Sequence, residues 1–290
     1  MIWIIIMLGS SLFFALNHIS KKKLLENTNV LDMMIAVGIL SFILTFPLIK
    51  FVEFQISYKN IFLIALNSAF AFSGSFLLNI AYKNCEISSV SPLLNVNPLF
   101  VIVFSYFILG ELINTFQMFG VLLILIGGYI VTLGNIRFFF RPFTSMPKKY
   151  FLIVLSTLLL WSFCPILNRV VLLEIDACSY MFFYAMSLLF IQIPLLLLKK
   201  RIKNILHLVK KKWQLIFIIS FFWVISDFLH IWALSIPTAV VSLAMPVKRI
   251  SNLFTIILGG KMFNEKNLLV KSTACVFMLA GFFIIGLNTI

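Results

Sequence analysis

Residues 2–19 read IWIIIMLGSSLFFALNHI, a run with no Lys, Arg, Asp or Glu. A helix that crosses a bilayer core needs about 20 consecutive apolar residues, so this run predicts a membrane span. The rest of the 290-residue chain has the same character, because 62% of its residues are hydrophobic and only 11% are charged. About a quarter of the residues in soluble domains are charged. The composition therefore excludes a water-soluble protein.

Further apolar runs predict ten spans in all. Barrel strands would be about half as long and would alternate in polarity, so the expected fold class is an all-α integral membrane protein with ten transmembrane helices. The predicted spans are residues 2–19, 30–51, 61–82, 90–108, 115–133, 150–171, 177–198, 213–234, 239–258 and 268–288.

The formal net charge of +14 is distributed unevenly among the loops. Seventeen of the 23 Lys and Arg residues lie in the loops after spans 1, 3, 5, 7 and 9, and only three lie on the opposite side. The positive-inside rule then predicts cytoplasmic odd-numbered loops and external termini, in an inner or plasma membrane. This distribution favours a membrane rather than a nucleic-acid partner. The basic residues Lys21, Lys22 and Lys23 follow the first span, the reverse of a secretory signal, so we expect that span to be retained.

The chain contains an internal repeat. An offset of 154 residues superposes Ser88 on Ser242, Pro92 on Pro246, Phe100 on Phe254, Glu111 on Glu265 and Gly127 on Gly281. Each half holds five predicted spans, and because five is odd, the second half enters the membrane from the other side. This predicts two inverted-topology five-helix repeats, an arrangement typical of secondary transporters. We expect a first repeat at residues 1–135, a basic linker loop at 136–149 and a second repeat at 150–290.

The motifs of both halves resemble the EamA domain of the drug/metabolite transporter superfamily. They comprise Pro98-Leu99-Phe100, Leu109-Gly110-Glu111, Phe119-Gly120 and Ile126-Gly127-Gly128 in the first half, and Lys248-Arg249-Ile250-Ser251, Trp161-Ser162, Asn168 and residues 259–266 in the second. The resemblance implies a secondary carrier of small metabolites, with spans 1, 3, 4, 6, 8 and 9 around a central cavity.

Lys248 and Arg249 lie in the middle of predicted span nine. An ionisable residue at a bilayer centre costs roughly 2.5–3.5 kcal/mol on insertion scales and generally faces protein or water. One reading is that these cations bind a carboxylate or phosphate of a substrate. The alternative is a structural ion pair, most plausibly with Asp227. The Lys-Arg pair also resembles that of the organic-phosphate translocators.

Predicted span eight carries Asp227, with Trp223 and His230 on the same helical face. Asp227 has two alternative roles, charge balance for Lys248 or Arg249 and proton coupling. Trp223 and His230 are candidate substrate-binding residues.

Other polar residues within predicted spans are candidate cavity-lining groups, although such groups often bond only to neighbouring helices. They are Asn17, Ser75, Asn79, Asn95, Trp161 and Asn168. Arg169 and His18 lie near span ends and are expected either to gate the cavity or to anchor in headgroups. Glu111 and Glu265 begin predicted spans five and ten, where a helix dipole favours acidic residues.

No sequence motif indicates catalysis, a metal site or a cofactor. The four cysteines stand far apart, without metal-ligand spacing. The chain is therefore predicted to be a secondary active transporter of a small polar metabolite rather than an enzyme. An anion is favoured over a cation because Lys248, Arg249 and Arg169 outnumber Asp227. The alternatives are a lipid-linked phosphate flippase and an exporter of amino acids or neutral metabolites. The expected partners are the substrate and membrane lipid, with the chain a monomer or a homodimer.

Overall fold

The computed structural model describes residues 2–25, 28–85, 87–133, 146–197, 201–255, 258 and 268–287. The regular structure in these ranges is helical throughout, and no strand occurs among them. In chain order the helices are α1 (Ile2–Leu25), α2 (Val30–Leu44), a 3-10 helix (Phe46–Phe51), α3 (Tyr58–Asn84), α4 (Ile87–Leu94), α5 (Asn97–Leu109), α6 (Thr115–Leu133), α7 (Lys148–Leu172), α8 (Ala177–Leu196), α9 (Arg201–Ser235), α10 (Val241–Lys248) and α11 (Leu268–Leu287).

Seven segments among the described residues are long and apolar enough to cross a membrane. They are Ile2–Lys21, Val30–Phe51, Tyr58–Tyr82, Pro92–Leu109, Lys148–Leu172, Ala177–Leu196 and Arg201–Ser235. Two shorter apolar helices, Thr115–Ile130 and Ala274–Leu287, lie where spans five and ten were predicted. The chain is an α-helical, multi-pass integral membrane protein.

Predicted spans four and nine are interrupted rather than continuous. Residues 95–96 form a turn between α4 and α5, and residues 249–250 form a turn between α10 and the helical residues 251–255. Pro92 lies inside α4 and Pro246 inside α10. Because proline has no N–H and its ring clashes with the preceding turn, each proline weakens the helix close to its break.

The two interruptions have the same backbone hydrogen bonds. In the first, Asn95 N donates to Pro92 O at 3.1 Å and Val96 N donates to Leu93 O at 3.0 Å. In the second, Arg249 N donates to Pro246 O and Ile250 N to Val247 O, both at 3.0 Å. The offset of 154 residues relates each bond to its counterpart, and it also maps the bounds of α4 onto those of α10.

Helix packing is reciprocal between the two halves. Helix α6 packs closely against α11, α1 against α9, and α3 against α7. A Cβ added to Gly120 would lie 2.8 Å from Gly281 O, and one added to Gly127 would lie 2.7 Å from Ala274 O. Gly120 and Ala274 are partners in the 154-residue repeat, as are Gly127 and Gly281. The same contact is therefore made twice, with the two halves exchanged.

Candidate functional site

The two interrupted helices meet through residues in and next to their turns. Arg249 Nη2 donates a hydrogen bond to Asn97 Oδ1 at 3.2 Å, and Asn252 Nδ2 donates to Asn95 Oδ1 at 2.7 Å. Asn95 and Asn97 are buried, with 3% and 1% of their surface exposed. We call these residues, together with His18, Lys21, Asp227 and Lys248, the polar centre.

Lys248 is paired with Asp227, as in the alternative drawn from the sequence. Lys248 Nζ lies 3.7 Å from Asp227 Oδ1, and the two side chains are only 11% and 18% exposed. The same Nζ lies 5.2 Å from the centroid of the Phe14 ring, a distance at which a ring face attracts a cation. Asp227 therefore balances the charge of Lys248 in this conformation.

Arg249 differs from Lys248 in its partners. Its guanidinium donates a hydrogen bond to the neutral Asn97, and it forms no ion pair with any carboxylate in the described ranges. Its buried Nε has no hydrogen-bond partner there. A guanidinium has five N–H donors, so Arg249 retains donors and a charge that the described part of the protein does not satisfy.

His18 and Lys21 bring α1 to the polar centre. The rings of Phe14 and His18 lie 4.4 Å apart, and His18 interacts electrostatically with Lys21, Lys248 and Arg249. His18 is solvent-exposed even though it lies among these groups. Lys21 interacts with Asp227. The polar centre thus contains three basic side chains besides His18, namely Lys21, Lys248 and Arg249, and one carboxylate, Asp227, among the residues described.

Lys21 was missed as a site residue because it was counted only as a marker of the cytoplasmic side. Its spacing carried a signal, since Phe14, His18 and Lys21 stand at i, i+4 and i+7 on one helical face.

Trp223 and His230 contact side chains of other helices. Trp223 stacks on Tyr184, with ring centroids 6.3 Å apart, and Tyr184 stacks on Tyr180 at 6.0 Å. His230 is buried, and its Nδ1 lies 3.4 Å from Met7 Sδ. These contacts place Trp223 in an aromatic stack with α8, and His230 against α1.

Asn168 and Asn17 form buried interhelical hydrogen bonds. Asn168 Oδ1 accepts from Asn67 Nδ2 and from the Tyr180 hydroxyl, each at 2.6 Å. Asn17 Nδ2 donates to Ile219 O at 2.8 Å. Asn168 thereby ties α7 to α3 and α8, and Asn17 ties α1 to α9. Asn67 and Tyr180 did not emerge from the sequence, because their proximity to Asn168 depends on the packing of three helices.

The remaining candidates lie along α3 and its neighbours. Trp161 packs against Gly74, where an added Cβ would lie 2.6 Å from the indole, and its Nε1 donates to Ala71 O at 3.4 Å. Asn79 Nδ2 lies 3.4 Å from Met34 Sδ, and Ser75 is half-buried. These contacts join α3 to α7 and α2.

Arg169 binds the C-terminal end of α9. Its guanidinium donates to Leu234 O at 2.5 Å, Ile236 O at 3.0 Å and Pro237 O at 2.9 Å. A cation is favoured at a helix C-terminus, where backbone carbonyls lack intrahelical partners. Arg169 therefore has a capping contact that the sequence did not predict.

Glu111 caps a helix of the other half rather than its own, which corrects the prediction from the helix dipole. The segment 110–114 that precedes α6 is not helical. The Glu111 carboxylate accepts from Val241 N at 2.7 Å and from Ser242 N at 2.8 Å, and it also contacts the Ser242 hydroxyl. Glu111 thus fixes the N-terminus of α10, the helix whose last residue is Lys248.

Further contacts join the loops at this end of the bundle. Lys59 Nζ donates to Glu174 Oε1 at 2.6 Å, and Asn60 Nδ2 donates to Glu174 Oε2 at 2.9 Å. These hydrogen bonds hold the pKa of the exposed Glu174 carboxyl below its usual value. Glu53 N donates to Ser179 Oγ at 2.8 Å. The contacts link the loops that precede α3 and α8.

A cavity of about 190 Å³ lies between α4–α5 and α7, apart from the charged groups. It is apolar, and its lining includes Leu93, Val96, Phe100, Phe151, Leu155 and Leu158. Leu158 O also accepts a hydrogen bond from Asn97 Nδ2 at 3.0 Å. One wall of this groove is therefore directly bonded to the polar centre.

The cysteines and acidic residues do not assemble a metal site in the part of the chain that the structure describes. No group of three His, Cys, Asp or Glu side chains lies close enough there to hold a metal ion. All four cysteines are free thiols.

The fold and the polar centre define a multi-pass helical membrane protein with charges at an interrupted helix. The model of the EamA-like transporter family matches residues 1–133, so this part of the chain is similar to that family. The resemblance seen in the sequence is thereby confirmed for residues 1–133. The family comprises membrane transporters of small molecules rather than enzymes.

One crystal structure, described only as that of a protein, aligns with the chain at a TM-score of 0.75 and 12% sequence identity. The alignment covers 99% of this chain and 97% of that one, and at such low identity it concerns the fold alone. No curated protein matches the sequence.

Proposed function

We propose that the protein is a secondary active transporter that moves a small polar, anionic metabolite across the membrane by alternating access. The observation that carries this proposal is the state of Arg249. This cation lies where the two interrupted helices meet, without a carboxylate among the described residues, while the neighbouring Lys248 is already neutralised by Asp227. An Arg guanidinium presents a planar set of donors suited to a carboxylate or phosphate.

The charge balance of the polar centre supports an anion over a cation. The polar centre contains three basic side chains, Lys21, Lys248 and Arg249. The single carboxylate described there is that of Asp227, which interacts with Lys248 and Lys21. Because an uncompensated charge inside a membrane protein is costly, a negatively charged substrate would lower the free energy of the occupied state. A cationic substrate would raise it.

The proposed architecture comprises ten spans in two inverted repeats, residues 1–135 and 150–290, joined by the basic loop 136–149. The matched hydrogen bonds of the two interruptions and the reciprocal glycine contacts support it. Discontinuous helices at a repeat interface are where secondary transporters place their substrates. The excess of Lys and Arg on one side supports cytoplasmic odd-numbered loops and external termini.

We propose that Arg249, Lys248 and Asn95 contact the substrate and that His18 lines the path of the substrate to the polar centre. The walls of the proposed substrate cavity are formed or supported by Trp223, His230, Asn79, Ser75 and Trp161. The interhelical hydrogen bonds of Asn17 and Asn168 keep α1 and α7 in place around the proposed cavity. Arg169, by capping α9, acts in gating at the end of the bundle that contains Glu111. Asp227 balances charge, and coupling to protons is its alternative role.

The test is a panel of monocarboxylates, dicarboxylates, organic phosphates, neutral amino acids and organic cations added to detergent-purified protein. A ligand that binds the native state raises its melting temperature by mass action. We expect only anions to raise it, and we expect proteoliposomes to take up those same anions. Stabilisation by neutral amino acids alone would favour the exporter of neutral metabolites, and stabilisation by organic cations alone would refute the proposal.

A second candidate, a flippase of lipid-linked phosphates, is favoured by the apolar groove between α4–α5 and α7. Leu158 lines this groove and is connected through Asn97 to Arg249, so a lipid tail and a phosphate would have adjacent sites. Leu155→Phe should block flipping by filling the groove, whereas carriage of a water-soluble anion should continue. An exposed α7 residue, Leu152, provides the matched control as Leu152→Phe.

A further inference from the structure

Helix α9 is too long to be a single membrane span. Its 35 residues would extend about 52 Å at 1.5 Å per residue, whereas a bilayer core is about 30 Å thick. The backbone departs from helical geometry at Lys212, where φ is −132° and ψ is 29°. Residues 213–235 alone, at about 34 Å, match the core. Residues 201–212, which we call the basic segment, are therefore left outside it.

The basic segment has three faces. Ile205 and Leu208 are buried against a cluster that includes Leu24 and Met33. Ile202, Leu206 and Val209 stand at i, i+4 and i+7, and they are 46%, 63% and 38% exposed. The third face carries the exposed polar residues Lys203, Asn204, His207, Lys210 and Lys211. One face thus packs on the protein, and an uncovered apolar stripe runs beside a basic one.

The charge of the basic segment has almost no internal compensation. Residues 201–212 contain five Lys and Arg residues and no Asp or Glu. Only Arg201 forms an ion pair in the described structure, with Asp32 at 2.7 Å. That pair attaches the segment to the start of α2, and Trp213, which follows the kink, is 59% exposed. Tryptophan is enriched where a span meets the headgroup layer.

We propose that the basic segment lies in the membrane interface and binds the headgroups of anionic phospholipids. Its apolar stripe inserts at the boundary between headgroups and acyl chains, and Lys203, Lys210 and Lys211 contact lipid phosphates. An apolar stripe beside Lys residues is the pattern of helices that lie in this plane, and basic residues next to a span are attracted to anionic leaflets. Continuity with the spanning part of α9 brings the segment to the bilayer surface. The interaction does not depend on which substrate the protein carries.

Spin labelling in nanodiscs tests the orientation of the segment. The four native cysteines are replaced by serine, and single cysteines at positions 202, 206, 209, 203, 207 and 210 receive a nitroxide. At 202, 206 and 209 we expect the label to be more accessible to oxygen than to a water-soluble nickel chelate. At 203, 207 and 210 we expect the reverse. Preferential nickel accessibility at all six positions would overturn the proposal and favour a soluble acidic partner.

The lipid preference is tested with the label at position 206. Its depth should increase when phosphatidylglycerol replaces phosphatidylcholine, and this shift should disappear in the triple variant Lys203→Gln/Lys210→Gln/Lys211→Gln. The control variant Lys148→Gln/Lys149→Gln removes exposed lysines at the start of α7 and should retain the shift. Equal depth in the two lipids, or equal loss of the shift in the control, would overturn the assignment of anionic lipid to this segment.

Discussion

The turns that interrupt the two helices have the same backbone hydrogen bonds but differ in their side chains. Each turn comes shortly after a proline, and each is closed by the same two backbone hydrogen bonds. At the first turn, the side chains of Asn95 and Asn97 donate to the backbone carbonyls of Gly128 and Leu158. At the second, Lys248 and Arg249 supply two cations and have one carboxylate partner between them in the described structure.

This comparison distinguishes the features that form the turn from the charges that only the second turn carries. Both turns come after a proline. At the first turn, the neutral side-chain amides of Asn95 and Asn97 are the polar groups that bond to the surrounding backbone. The charges at the second turn are not needed to form the break, since the first copy forms it without them. Charges inside a membrane span are costly, and the proposed binding of an anionic substrate accounts for their presence at the second turn.

The largest expected effect comes from making the second turn resemble the first. Arg249→Asn should reduce uptake of the anionic substrate by between about tenfold and about 100-fold, because hydrogen bonds to charged groups contribute about 1.5–3 kcal/mol. Uptake is measured in proteoliposomes, with Lys148→Asn as a control for loss of an exposed charge. Wild-type uptake by Arg249→Asn would show that the two turns are functionally equivalent.

Removing the carboxylate of Asp227, the α9 residue that pairs with Lys248 next to the second turn, should have the next largest effect. Asp227→Asn leaves Lys248 unpaired and should lower the free energy of unfolding by about 2 kcal/mol. Fully buried broken pairs cost about 3–5 kcal/mol, but both side chains here are partly exposed. Thermal stability in detergent measures the loss, and Lys248→Met or Arg249→Met in the same chain should restore part of it. Rescue by neither would assign Asp227 an independent role such as proton coupling.

The close packing of α6 against α11, which supports the proposed repeat, can be tested at Gly281. A Cβ on Gly281 would clash with Gly120 O and would lie 3.0 Å from Ile124 N, so both obstacles belong to backbone. Gly281→Ala should therefore destabilise the protein by about 1–2 kcal/mol, within the range for overpacking. Nothing lies within 4 Å of a Cβ at Gly286 on the same helix, and Gly286→Ala should leave the melting temperature unchanged or slightly higher. Equal effects of the two variants would contradict the close packing at Gly281.

The smallest expected effect concerns the capping of α10. In Glu111→Gln, one amide oxygen replaces two carboxylate oxygens that now accept from Val241 and Ser242. The helix should lose about 1 kcal/mol, the usual contribution of such a cap. The melting temperature measures the change against Glu53→Gln, which alters an exposed carboxylate in the loop before α3. Equal melting temperatures of the two variants would contradict a stabilising role of Glu111 at the N-terminus of α10.

The sequence predicted the helical membrane class and the resemblance to EamA transporters well, because both depend on apolar runs and short motifs. It also identified Lys248, Arg249 and Asp227, since charges inside apolar runs are conspicuous. It did not predict the breaks in spans four and nine, although Pro92 and Pro246 mark them. A proline in a membrane helix is tolerated without a break when neighbouring helices satisfy the freed carbonyl.

Contacts between distant segments were beyond sequence reasoning. Glu111 was assigned to its own helix because the dipole rule considers only neighbours in the chain, whereas its partners lie 130 and 131 residues away. Arg169 was interpreted as a gate or anchor, and its contact with the end of α9 depends on how α7 and α9 pack. Trp223 and His230 share a face with Asp227, but bulky neighbours such as Tyr184 and Met7 determine what each side chain contacts.

The central claim is that Arg249 binds the negative group of the substrate, and calorimetric titration of the transported anion tests it most directly. The account predicts measurable binding to the wild-type protein and to the surface control Lys148→Asn, with the affinity of Arg249→Asn lower by at least about tenfold, as expected for loss of a charge-assisted hydrogen bond. Equal affinity of Arg249→Asn and the wild-type protein would contradict it.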